Sequence, residues 1–70
     1  MKQGMDTPRR FAIVEDFEDG RESMVVGWGC EFTDRADFVS EDGRMLMTSS
    51  SAESTRDLLG ITGDMRLVWP

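Results

Sequence analysis

The sequence predicts a small α+β fold: an antiparallel β-sheet of about five strands in the order β-β-β-β-α-β, with one short helix packed on one face. Three observations predict it. The stretch Met24-Val25-Val26-Gly27-Trp28-Gly29-Cys30-Glu31-Phe32 alternates strictly, with apolar residues at every even position. Successive side chains of a strand point to opposite faces, so this alternation lays one apolar stripe along one side. The tetrapeptide Glu-Asp-Gly-Arg occurs twice, at 18–21 and 41–44, each time between apolar runs. Asp-Gly is a strong hairpin signal, because glycine accepts a positive φ without a Cβ clash. The helix-start pattern comes late, after four strand-like segments, which favours an antiparallel sheet over a parallel one. A small SH3-like β-barrel is the alternative, with the helix reduced to a turn before the last strand.

The elements follow in order. Residues 1–9 form a polar lead with Gly4 and Pro8, expected to be loosely held, and a single α+β domain is expected over 10–70. Arg10–Phe17 reads as the first strand, with Phe11 and Ile13 on one side and Ala12 and Val14 on the other. The first Asp-Gly turn reverses the chain into the strand over 24–32. Thr33-Asp34-Arg35 is a polar break, Ala36–Ser40 a short third strand, and the second Asp-Gly turn leads into Arg44–Thr48. Ser50 and Glu53 have the spacing of a capping box, which predicts a helix start there. Glu53 early and Arg56 late both suit the helix dipole. Ala52, Thr55, Leu58 and Leu59 fall near one side, and Gly60 is placed to end the helix in a left-handed conformation. Met65–Trp69 reads as the final strand. Both Glu-Asp-Gly-Arg turns are explained by shared turn chemistry without invoking a duplication.

Grouping the alternations by side-chain size gives a core set of Phe11, Ile13, Met24, Val26, Trp28, Phe32, Phe38, Met45, Met47, Met65, Leu67 and Trp69. The second set is Ala12, Val14, Val25, Val39, Leu46 and Val68 around Gly27 and Gly29. One helix covers one face of a sheet, and the other face of an antiparallel sheet ordinarily turns polar. Here that other face is expected to be aliphatic, and a second subunit is expected to cover it. The candidate interface is Val14, Val25, Gly27, Gly29, Leu46, Val68 and Trp69. Size points the same way. A chain of 70 residues buries only about 60% of its extended-chain surface, so its own core is marginal. One cysteine excludes an internal disulfide, and the absence of histidine leaves a poor start for a zinc site. Association is the remaining means of stabilisation, and a homo-oligomer, a dimer, is expected.

The formal net charge is −6, from fourteen acidic and eight basic residues. Phosphate binding needs clustered cations, so neither nucleic acid nor an anionic membrane is an expected partner. No apolar run approaches the ~20 residues of a membrane helix, and residues 1–10 lack the apolar core of a signal peptide. A cytoplasmic location is expected.

The chain offers few tools for catalysis: no histidine, one lysine, one cysteine and no tyrosine. Cys30 lies on the apolar stripe with no base to activate it and reads as a small hydrophobe. Glu15, Asp16, Glu18, Asp19 and Glu22 gather at the first turn. They miss the spacing of a calcium-binding loop, and they read as a solvated hairpin tip. Gly27-Trp28-Gly29 lies inside a strand, so the dinucleotide-binding signature fails. Thr48, Ser49, Ser50, Ser51 and Ser54 read as capping and loop hydroxyls. No catalytic residue, cofactor or metal is expected. The expected function is that of a small acidic, non-catalytic protein-interaction or regulatory module that self-associates. The alternatives are an acidic nucleic-acid mimic that binds a DNA-binding protein, and a small-molecule binder.

Overall fold

Four strands follow one another as a meander in the computed structural model, which describes residues 7–61 and 63–70. The expectations for residues 1–6 and for Thr62 lie outside these. The strands are β1 (Arg9–Asp16), β2 (Met24–Glu31), β3 (Ala36–Ser40) and β4 (Leu46–Ser49). The helix α1 (Ala52–Leu59) then crosses the sheet and delivers β5 (Asp64–Val68) to the far side of β1. The sheet order is β4-β3-β2-β1-β5, with every neighbouring pair antiparallel. This is the α+β arrangement that the sequence predicts. The sheet stays open, with β4 and β5 as its edges, and so is not the SH3-like barrel.

The two Glu-Asp-Gly-Arg turns use one device. Gly20 and Gly43 adopt φ values of 85° and 76°. Asp19 Oδ1 accepts from the Arg21 backbone N–H at 3.2 Å, and Asp42 Oδ1 accepts from that of Arg44 at 3.0 Å. Each aspartate thus closes a local loop through the backbone two residues on, which explains why the same four residues serve twice.

The core lies between the sheet and α1. Phe11, Ile13, Ala36, Phe38 and Ala52 are its buried apolar residues, with Val26, Met47, Leu59, Met65 and Leu67 packed around them. The register places Phe11 opposite Gly29, Gly29 opposite Phe38 and Phe38 opposite Met47. The rings of Phe11 and Phe38 stack with centroids 6.5 Å apart, and Trp69 meets Phe11 edge-on at 5.9 Å. These rings lie over the bare backbone of β2. A Cβ on Gly29 would come within 2.7 Å of Phe11 Cε1, and one on Gly27 within 2.8 Å of Phe38 Cε1.

This reverses the expected facing of β2. Gly27 and Gly29 turn toward the helix, and Trp28 turns away, half exposed. The reason is non-local. Phenylalanines on both neighbouring strands fill the layer above β2, which leaves room there for a hydrogen and none for an indole.

The helix begins one residue later than the capping-box spacing predicts. Ser51, not Ser50, is the N-cap, and its Oγ accepts from the Ser54 N–H at 3.0 Å. Glu31 at the end of β2 fixes this register, because its Oε2 accepts the Ala52 N–H at 3.0 Å. A carboxylate there also suits the positive end of the helix dipole. Thr55 is fully buried and shares its hydroxyl with Ser49 Oγ at 2.7 Å, which ties α1 to β4. Gly60 is right-handed, at φ −66°, not left-handed, because its N–H still donates to the Arg56 carbonyl at 2.8 Å and continues the helical turn.

Candidate functional site

The face of the sheet away from α1 carries the site. Register and alternation place five residues in one row across it: Val68, Ala12, Trp28, Val39 and Leu46, one from each strand. All five are apolar. Leu46 is 79% exposed and Trp28 50% exposed, with the small Ala12 buried between its larger neighbours, so the row presents apolar side chains where a solvated face should be polar. Val14 and Val25, opposite one another, extend the apolar band toward the first turn. Beside Trp28 lies an open groove of about 410 Å³, lined among others by Arg10, Cys30, Phe32, Asp37, Val39 and Leu46.

The adjoining row is polar at its flanks. Arg10 pairs with Cys30 and Cys30 with Asp37, so β1 offers a cation and β3 an anion on either side of the central thiol. Thr48 Oγ1 donates to Asp37 Oδ1 at 3.1 Å, and Arg35 Nε lies 3.4 Å from the same oxygen. Arg10 is exposed and makes no ion pair among the described residues.

The opposite border of the band is closed by a fork. Arg66 donates through Nε to Asp16 Oδ2 at 2.9 Å and through Nη2 to Oδ1 at 3.1 Å, and Ser23 Oγ donates to Oδ1 as well. The Arg66 guanidinium, then the Ser23 hydroxyl, hold the Asp16 carboxyl down at about 2, from an ordinary 3.8. A depressed carboxylate stabilises the fold above its unfolded value, and that contribution disappears as pH falls through the folded value. Asp16→Asn should therefore lower the urea midpoint at pH 6, and the two proteins should converge between about pH 4 and pH 2. Urea titrations across that range check it. The effect should shrink in high salt, since the pair is exposed.

Of the residues that the sequence singles out, the structure brings Val14, Val25, Leu46 and Val68 together on the open face. Gly27 and Gly29 are on the helix side beneath the phenylalanine rings. Trp69 is also on that side, against Phe11, with the Arg9 guanidinium 3.9 Å over its ring. Trp28, Arg10 and Asp37 join the open face without having been anticipated there. A usable signal existed: two glycines in one strand, flanked by phenylalanine-bearing strands, mark the side on which large rings need space.

The acidic residues at the first turn are drawn into local pairs. Asp16 is held by Arg66 and Ser23, and Asp19 Oδ2 meets Arg21 Nε at 2.7 Å. Among the described residues no three carboxylates or thiols gather closely enough to hold a metal ion. Ser49, Ser50, Ser51 and Ser54 bond to one another, to Thr55 or to the helix backbone. Among the described residues no helix is long and apolar enough to cross a membrane. In comparisons with known proteins, no family model, no curated protein and no solved structure matches this chain.

Proposed function

We propose that this chain is a small non-catalytic protein-interaction module that works by self-association through the open face of its sheet. One observation carries the reading: an uninterrupted apolar row crosses all five strands with Trp28 and Leu46 exposed in it. A contiguous apolar face on so small a chain marks a surface that another protein covers. Tryptophan is the residue type most enriched among those that carry interface energy. The absence of histidine from the chain supports the non-catalytic half of the reading, since it leaves Cys30 without the usual imidazole base.

Trp28→Thr tests it, because threonine keeps the strand preference while removing the ring. Truncating an interface anchor costs about 2 kcal/mol or more, and the dimer carries the substitution twice, so its dissociation constant should rise at least about thirtyfold. Sedimentation equilibrium measures this, with far-UV circular dichroism reporting that the variant stays folded. A wild-type chain that remains monomeric at millimolar concentration would remove the basis for the proposal.

A further inference from the structure

The geometry points to one specific arrangement of two copies: the open faces stack about a two-fold axis that runs along β2, so that Arg10 of each copy meets Asp37 of the other. This rests on the proposed self-association and adds the partner and its orientation. β2 is the central strand in the order β4-β3-β2-β1-β5. A two-fold axis along it exchanges β1 with β3 and β4 with β5, and leaves every cross-strand row at its own height.

The consequences can be read off the register. In the polar row, Arg10 and Asp37 stand one strand to either side of Cys30. The rotation therefore lays each arginine over the partner copy's aspartate, twice per dimer. In the apolar row, Trp28 lies on the axis, Val39 falls over Ala12, and Leu46 falls over Val68. Large residues thus meet smaller ones away from the axis. Stacked sheets lie about 10 Å apart, a gap that a long arginine and a short aspartate span together. Arg10 has no ion pair of its own among the described residues. Thr48 and Arg35 both engage Asp37 through Oδ1, which leaves Oδ2 for a second guanidinium. An axis perpendicular to the strands through the apolar row would lay each strand over its own copy reversed and would bring Arg10 toward Val14, and one through the polar row would bring Arg10 over Arg10. The pairing of opposite charges selects the first.

Two measurements test the arrangement. In wild-type protein mixed from isotope-labelled and unlabelled copies, a filtered NOE spectrum should connect the Leu46 and Val68 methyl groups. These residues sit on opposite edges of one sheet, four strand spacings or about 19 Å apart, so such a contact arises only between copies. In parallel, Arg10→Asp and Asp37→Arg should each weaken self-association at least about tenfold, because each faces a like charge twice. Mixing the two variants should restore a one-to-one heterodimer, since both of its pairs are then opposite in sign. A wild-type dimer that lacks the Leu46–Val68 contact overturns this arrangement while leaving the proposed function standing. So do charge variants that dissociate but fail to recombine. A monomeric wild-type chain overturns both.

Discussion

Gly29→Val is expected to remove about a third or more of the protein's folding stability. Adding atoms to a packed core costs about 1–3 kcal/mol and occasionally more. Here the site cannot yield cheaply. A Cβ at position 29 would lie 2.5 Å from the Asp37 backbone carbonyl and 2.7 Å from the Phe11 ring. One obstacle belongs to the neighbouring strand and the other to a fully buried ring that stacks on Phe38 and meets Trp69 edge-on. A cost at or above about 3 kcal/mol is therefore expected. A chain of 70 residues holds a total of about 4–10 kcal/mol, so this one substitution consumes a third or more of it. The fall in the urea midpoint, followed by circular dichroism, measures the loss. A variant as stable as the wild type would mean that Gly29 does not face the rings.

Phe11→Ala should cost about as much or more, in the range of 3–5 kcal/mol that removal of a buried phenylalanine brings. Phe11 is fully buried and joins three parts of the core: Phe38 from β3, Trp69 beyond β5, and the backbone of β2 beneath it. Its loss opens a cavity and strands the other two rings. The pair of positions adds a sharper test. If the ring is what forbids a side chain at 29, Gly29→Ala should cost less in the Phe11→Ala background than in the wild type. A coupling of about 0.5–3 kcal/mol is the usual size for residues in contact. Urea unfolding of the four proteins in this cycle, at one temperature, gives the value. Strict additivity would show that the two positions do not touch.

These residues also show which parts of the fold were legible in the sequence. The succession of elements and both hairpins could be read because they depend on local chemistry: alternation, and an aspartate closing onto the backbone beside a glycine. The order of strands within the sheet could not, since the place of β5 beside β1 is a non-local pairing. The orientation of β2 could not be read the same way. Alternation divides a strand into two faces without saying which faces inward, and size favoured the face with Trp28. The deciding fact is the register that sets Gly29 between Phe11 and Phe38, two residues on different strands. The helix start has the same character. Locally Ser50 has the capping-box spacing, and the choice of Ser51 instead goes with the contact from Glu31 to Ala52. For the open face, the sequence pointed to Val14, Val25, Leu46 and Val68 through their small aliphatic alternation. It missed Trp28 because an indole in an apolar stripe resembles core, and it missed Arg10 and Asp37 because their relation exists only across three strands.

The pairing of β5 with β1 constrains how the protein is made. β5 is synthesised after the other four strands and α1, so Ala12 waits for Val68 until all of these intervening elements have been made. Until Trp69 leaves the exit tunnel, Phe11 lacks one of its two aromatic neighbours and one border of β1 has its amides unsatisfied. A nascent chain in that state resembles an exposed edge open to wrong pairing. Pairing with β5 is what closes that border of β1.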